Sequence, residues 1–151
     1  MRMVNSSIDP YKLLRVLEDV TDKHARTVRS LDKTLHRLRR NPSDEQLQSL
    51  ALNYIRRLRV LRRRLTRALG EEMVEPDFSG VESEVVGNIA TLSEYMIIVG
   101  HVYEEELLRK ALKLVEKGAS ILGEDAENIE RDLEEIYRLN EKFQRIVDKY
   151  Y

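Results

Sequence analysis

The sequence contains no cysteine and no tryptophan, and it has only three prolines and six glycines in 151 residues. Without cysteine, the chain can form neither disulfides nor thiolate-based catalytic or metal sites. The low proline and glycine content predicts few turns, and therefore a small number of long elements. Because small secreted domains often depend on disulfides, this composition favours a cytoplasmic protein.

Long apolar runs are also missing. No run approaches the roughly 20 residues of a transmembrane helix, and residues 1–9 lack the apolar core of a signal peptide. Charge, in contrast, is abundant and unevenly distributed. The net charge of −1 is the sum of +10 in residues 1–70 and −11 in residues 71–151. Such an asymmetry indicates either an anionic partner for the first half or attraction between the two halves.

The first half of the chain has the pattern of a helical hairpin. Asp9 is a favourable N-cap and Pro10 suits the first helical position, so we expect a helix to begin there and to end before Pro42. Ser43 and Gln46 have the spacing of a capping box, which predicts the start of a second helix. The apolar seams of these two helices are Leu14, Leu17, Thr21, His24, Val28, Leu31, Leu35 and Leu38, then Leu47, Ala51, Tyr54, Leu58, Leu61, Leu65 and Ala68.

Two further helical patterns follow the predicted loop at residues 71–80. The third pattern covers residues 81–122, and a helix of that length would outrun its neighbours. We therefore expect a kink or break near Gly100, or alternatively near Gly87. The fourth helix begins at about Glu124. The seams of these helices are Val85, Ile89, Leu92, Met96, Val99, Tyr103, Leu107, Ala111 and Leu114, then Ile129, Leu133, Ile136, Asn140, Phe143, Val147 and Tyr150.

The predicted fold is an all-α, up-down bundle of four or five long amphipathic helices with coiled-coil-like packing. We expect a single domain over residues 1–151, with a basic hairpin at 9–70, the loop at 71–80 and an acidic helical half at 81–151. A basic hairpin followed by an acidic helical part resembles the layout of ESCRT-III-type membrane-remodelling proteins. It also resembles the small all-helical subunits of RNA-guided defence complexes. Both resemblances concern shape and charge, and neither transfers a residue.

Arginines of the second helix carry the strongest functional signal. Residues 55–69 contain seven arginines, and no acidic residue lies between Asn53 and Leu69. Arginine suits bidentate contacts with phosphate, and a second basic stripe on the first helix also lies opposite its apolar seam. A hairpin could join the stripes into one positive surface. The predicted nucleic-acid-binding residues are Arg26, Arg29, Lys33, Arg37, Arg40, Arg56, Arg59, Arg63, Arg64 and Arg67.

These residues predict a non-enzymatic protein that binds the backbone of DNA or RNA with weak sequence selectivity, as a subunit of a larger assembly. The sequence has no zinc-finger spacing and no aromatic side chains interleaved with the arginines, which argues against base-specific reading. Two alternatives remain open. The chain could be a scaffold that forms homo-oligomers through its seams and through basic–acidic complementarity, or it could associate with an anionic membrane surface.

Polar residues at seam positions have structural interpretations. His24 lies on the seam of the first helix, where we expect a buried histidine hydrogen-bonded to a neighbour. Thr21, one turn away, could share a small polar layer with it. Asn140 on the fourth seam is a residue type that sets helix register.

Other histidines raise the possibility of an enzyme or a metal site. His36 with Arg29 would suit a ribonuclease-like acid–base pair, but general acid–base chemistry needs more geometry than spacing provides. His101, Glu104 and Glu105 have metal-ligand chemistry at helical spacing, yet the Glu-x-x-His motif of metal-binding bundles is missing. We therefore expect no catalytic residues, no metal and no cofactor, and the sequence indicates no small-molecule substrate.

Overall fold

The computed structural model describes residues 8–151. The first seven residues, and with them most of the N-terminal stretch considered for a signal peptide, lie outside it. The described residues contain no strand, so the predicted all-α bundle is confirmed. The elements are α1 (Pro10–Leu38), α2 (Glu45–Leu69), α3 (Ser83–Tyr95), a π-helical segment (Met96–Gly100), α4 (His101–Glu116), α5 (Ser120–Gly123) and α6 (Ala126–Tyr150).

Side-chain caps define where the first two helices begin. The carboxylate of Asp9 accepts hydrogen bonds from two backbone amides in the first turn of α1, as predicted. At α2 the cap is Asp44, whose Oδ1 accepts from the Leu47 backbone N–H at 3.0 Å. The predicted capping box that begins at Ser43 is therefore wrong. Ser43 instead donates its hydroxyl to the side chain of Asn41 at 3.1 Å, which leaves the capping position to the next residue.

Helices α1 and α2 form the expected antiparallel hairpin. Helices α3 and α4 run alongside α1, and α6 then returns between α2 and α3. Two apolar clusters fill the interior. One includes Leu31, Ile55 and Leu108, and the other includes Leu65 and Phe143. Because polar residues separate the two clusters along α1 and α4, the middle of the bundle is ionic rather than apolar.

The buried face of α1 differs slightly from its predicted seam. The structure buries Leu13 and Val20 completely, whereas Leu14 and Thr21 are only partly covered. Thr21 donates its hydroxyl to the Leu17 carbonyl at 2.7 Å within its own helix, so it takes no part in a polar layer. The reason is that α1 is covered by α2 on one side and by α3 and α4 on the other, which buries a wider face than a two-position seam.

A wide helical turn replaces the predicted break near Gly100. The helix continues through it, and the His101 backbone N–H bonds to the Met96 carbonyl, five residues back. A π-helical turn of this kind accommodates one extra residue, which rotates the downstream helix by about 100° relative to regular α-helical winding. As a result Val99 is 46% exposed, while His101 and Glu104 are buried.

The continuous helix Ser83–Glu116 is long and apolar enough, by length and composition, to cross a membrane. It contains an 18-residue window of mean hydropathy 1.3 with at most two charged residues, and 33% of this window is buried in the bundle. Glu84, Glu94 and Glu104 interrupt this helix, so it contains no uninterrupted apolar run of about 20 residues. In the structure it packs against α1 and α6. The cytoplasmic location stays a prediction.

The predicted loop joins α2 to α3 over the end of the bundle. It is anchored by Phe78, which is 2% exposed and stacks on the Tyr150 ring with centroids 5.0 Å apart. The Phe78 backbone N–H also donates to the Tyr150 hydroxyl at 2.8 Å. These contacts hold the end of α6 against the loop that precedes α3.

Candidate nucleic-acid interface

Eight of the ten predicted nucleic-acid-binding residues have exposed side chains. Arg26 pairs with Asp22 on its own helix at 2.8 Å, and the other seven form no salt bridge within residues 8–151. Their positive charge is therefore available to a ligand. We call these eight residues the basic face: Arg26, Arg29, Lys33, Arg37, Arg40, Arg56, Arg63 and Arg67.

Arg59 does not belong to this surface, and its assignment as a nucleic-acid contact is wrong. Its side chain is 14% exposed and points between α2 and α6. The guanidinium Nε donates to both oxygens of Asp132 at 2.9 Å, and its terminal nitrogens donate to Asp125. The carboxylates of the acidic half thus neutralise this arginine, because α6 packs along the flank of α2 on which it lies.

Arg64 is also less free than predicted. It is partly buried and donates to Asp19 of α1 at 2.6 Å. This ion pair joins the two helices of the hairpin. Because the Arg64 side chain is only 34% exposed, it could make at most a secondary contact with a ligand.

An open groove of about 410 Å³ runs between α1 and α2 beside the basic face. Arg26 contributes from α1, and Arg57 contributes from α2. The Arg57 guanidinium lies over the Tyr54 ring at 5.3 Å from its centroid, while Val60 is 52% exposed at the rim. Arg57 was not among the predicted contacts. Its position one residue beyond Arg56 places it on the flank of α2 that faces α1, which the helical period could have shown.

Arg62 occupies the centre of the bundle, where sequence reasoning did not place an arginine. It is 4% exposed and donates to Glu104 on α4 at 2.7 Å. It also donates to Asp132 and, at 3.2 Å, to Glu135, both on α6. The signal was its spacing, since Arg62 lies four residues after Leu58 and therefore at a buried phase of the helix.

The second oxygen of Glu104 accepts from His24 of α1. The distance from His24 Nε2 to Glu104 Oε1 is 2.7 Å, and both side chains are nearly inaccessible. The prediction that His24 is a buried, hydrogen-bonded histidine is confirmed, but its partner comes from α4 and not from its own helix. Burial raises the pKa of Glu104, but the hydrogen bond from His24 and the charge of Arg62 outweigh this effect and lower the pKa to about 2.

His101 extends the polar centre toward α6. Its Nδ1 donates to Asn140 Oδ1 at 2.5 Å, and burial lowers its pKa to about 4. At neutral pH the ring is therefore uncharged and its proton lies on Nδ1. The contact gives Asn140 a specific partner on another helix. Its role in setting helix register stays a prediction.

We call this set the buried ionic network: His24, Arg59, Arg62, His101, Glu104, Asp125, Asp132 and Asn140. Glu105, the third predicted metal-ligand candidate, instead lies outside it and pairs with Arg109 on the surface of α4 at 3.0 Å. Within the described chain, no group of three or more histidine, aspartate or glutamate side chains is arranged to hold a metal ion.

None of the protein-family models, curated proteins or solved structures compared with the chain matches it.

The two charged regions differ in what they can do. Arg62 and Glu104 could contact a ligand only if the bundle opened, because both are almost completely buried. Removing one partner of such a buried ion pair is costly, because it leaves an uncompensated charge in the interior. The basic face, in contrast, is exposed, and seven of its eight cations form no salt bridge within residues 8–151, which is the arrangement that attracts a polyanion at long range.

Proposed function

We propose that the chain is a non-enzymatic protein that binds the sugar–phosphate backbone of nucleic acid through the basic face. The observation that carries the proposal is that seven exposed cations on adjacent helices have no carboxylate partner within the described chain. An unneutralised surface repels itself, and a bound polyanion removes that cost.

The dimensions of the basic face agree with a backbone ligand. At 1.5 Å per residue, the α1 stripe from Arg26 to Arg40 spans about 21 Å, and the α2 stripe from Arg56 to Arg67 spans about 16 Å. Duplex DNA presents one negative charge for about every 1.7 Å of its axis, so each stripe can face several phosphates. The groove between the helices is lined by Arg57 of α2 together with Arg26 of the basic face.

Salt dependence tests the electrostatic part of the proposal. Binding of a fluorescein-labelled 20-base-pair duplex would be measured by anisotropy at several salt concentrations between 50 and 200 mM. If all seven unpaired cations reach phosphates, log K should fall against log salt with a slope of up to about −6, and fewer contacts would give a shallower slope. An affinity that stays constant over this range would rule out the proposal.

Matched double variants test which surface is used. Arg63→Gln with Arg67→Gln removes two charges from the basic face. We expect weaker binding and a slope of log K against log salt that is less negative by about two. The control is Arg131→Gln with Arg138→Gln, which removes two exposed arginines from α6. Equal losses in both double variants would contradict the assignment. Reversing the charge of Arg59 would be a poor test, because it would disrupt the buried ionic network.

The alternative function is a scaffold that self-associates. It is favoured by an exposed apolar strip on the outer face of the longest helix: Ile98 is 60% exposed, Val99 is 46% exposed and Val102 is 55% exposed. Contiguous exposed apolar side chains often mark contact surfaces. The predicted seams are largely buried within the single chain, which leaves little of them for a partner. Sedimentation velocity at increasing protein concentration distinguishes a monomer from an oligomer, and vesicles with and without anionic lipid test membrane association.

A further inference from the structure

A second basic site lies on the flank of α1 that faces α4, away from the groove between α1 and α2. It is formed by the last turns of α1 and α4. It is a groove of about 200 Å³ with Leu35 and Leu114 among its lining residues. The charged and titratable side chains that line it are Asp32, His36 and Arg39 from the α1 side, and Lys110, Lys113 and Lys117 from the α4 side. We call it the α1–α4 groove.

Most of its cations are unpaired. Lys110 pairs with Glu106 one turn away at 3.2 Å. Arg39, Lys113 and Lys117 have no salt bridge in the part of the chain that the structure describes. The single carboxylate, Asp32, accepts a hydrogen bond from the Tyr103 hydroxyl at 2.5 Å. Three cations from two helices therefore border one groove without a matching number of anions.

The C-terminal ends of α1 and α4 compensate only part of this positive charge. Both α1 and α4 end beside the groove, and a helix C-terminus carries about −0.5 of an elementary charge, so the two ends compensate about one cation. Asp32 compensates a second, and Glu106 compensates Lys110. About one positive charge of the four side chains remains, which favours a small anion as the ligand of the groove.

We propose that the α1–α4 groove binds a phosphate monoester group. A phosphate monoester is close to a dianion at neutral pH and accepts several charge-assisted hydrogen bonds, which two lysines and an arginine can donate. A groove of this size suits a small group better than an extended strand. The site shares no residue with the basic face, although Lys33 and Arg37 of that face lie next to Asp32 and His36. It does not depend on nucleic-acid binding.

His36 provides a direct reporter. It is the exposed one of three histidines in the chain, because His24 and His101 are buried. The full-length protein would be titrated with inorganic phosphate and, separately, with a nucleoside 5′-monophosphate at constant ionic strength set by chloride, while the histidine ring resonances are followed by NMR. We expect a saturable shift of the His36 ring resonances with either probe, while those of His24 and His101 stay in place.

A matched pair of double variants completes the test. Lys113→Gln with Lys117→Gln should weaken phosphate binding by about tenfold or more, because two charge-assisted hydrogen bonds are lost. Arg131→Gln with Arg138→Gln, on the far surface of α6, should leave it unchanged. A linear response without saturation, or equal weakening in both double variants, would overturn the proposal. The assay contains no nucleic acid, so its failure would leave the proposed function untouched.

Discussion

Replacing Glu104 with glutamine removes one charge from the middle of the bundle and preserves the shape of the side chain. The two oxygens of this carboxylate accept from His24 and from Arg62, each at 2.7 Å. Glutamine can accept with one oxygen only, and its amide group would face a donor. Arg62 would then lie in the interior with one fewer compensating charge.

The loss of stability follows from the pKa shift of Glu104 and, separately, from the usual cost of breaking a buried ion pair. The pKa of Glu104 falls from 4.5 to about 2 in the folded chain. Since one pKa unit corresponds to about 1.4 kcal/mol, the ionised carboxylate contributes about 3 kcal/mol to the free energy of unfolding. Removing one partner of a buried ion pair typically costs about 3–5 kcal/mol. We therefore expect Glu104→Gln to lower the free energy of unfolding by about 3 kcal/mol at pH 7.

The pH dependence distinguishes a charge effect from a packing effect. Because the folded pKa lies below the unfolded one, the stabilisation by Glu104 is complete above pH 4.5 and is lost as the pH falls toward 2. The difference between wild type and variant should therefore shrink to about half by pH 3. Urea unfolding followed by far-ultraviolet circular dichroism, at pH 7, 5, 4 and 3, measures this difference.

Glu105→Gln is the control, because this neighbour pairs with Arg109 at the surface. Surface substitutions of this kind usually change stability by less than about 0.5 kcal/mol. The reasoning would be refuted if Glu104→Gln cost no more than Glu105→Gln, or if its cost were the same at pH 7 and pH 3.

Other predictions concern the residues around this carboxylate. The pKa of His101 is lowered from 6.5 to about 4, so the unfolded chain takes up its proton first as the pH falls. We expect stability to drop by about 2 kcal/mol between pH 7 and pH 5, and the His101 ring to titrate near pH 4 by NMR; a midpoint near 6.5 would contradict the burial argument. An added Cβ at Gly100 would lie 3.1 Å from the sulfur of Met96 and 3.5 Å from His24. Gly87→Ala, where the added Cβ meets nothing within 4 Å, should stabilise the protein by about 0.4–1 kcal/mol in urea unfolding. Gly100→Ala should be less stable than Gly87→Ala by about 1 kcal/mol, because the buried Met96 side chain must shift to admit the new Cβ. Equal effects of the two substitutions would show that the packing at Gly100 is unimportant.

Local sequence rules predicted the start of α1, the hairpin and the loop because each depends on a few neighbouring residues. The cap at Asp9 is an example, since its partners lie within the next three residues. All predicted seam positions except Val99 are buried or half-buried, although several of the half-buried ones lie one residue from the fully buried position. Their errors, such as Leu14 in place of Leu13, arise because the width of a buried face depends on how many helices cover it.

The candidate site was only partly predictable for a related reason. Arg56, Arg59, Arg62 and Arg63 belong to one arginine-rich run, and composition treats them alike. Two of them, Arg59 and Arg62, turn toward carboxylates that lie 42–73 residues away in the sequence. The spacing of Arg62 from Leu58 indicates that it faces the interior. Which carboxylates meet Arg59 and Arg62 is decided by the packing of α4 and α6 against α2, and the sequence of α2 alone does not contain that information.

The π-helical segment makes the chemistry of the bundle centre depend on a single residue count. If one residue among Ile97, Ile98 and Val99 were deleted, the helix could wind regularly and Glu104 would still face Arg62, because the deletion removes the residue that the wide turn absorbs. If the turn instead tightened to α-helical winding without a deletion, Tyr103 would turn inward in place of Glu104, and Arg62 would lose its partner. The extra residue of this turn therefore decides whether the interior is ionic or largely aromatic and aliphatic.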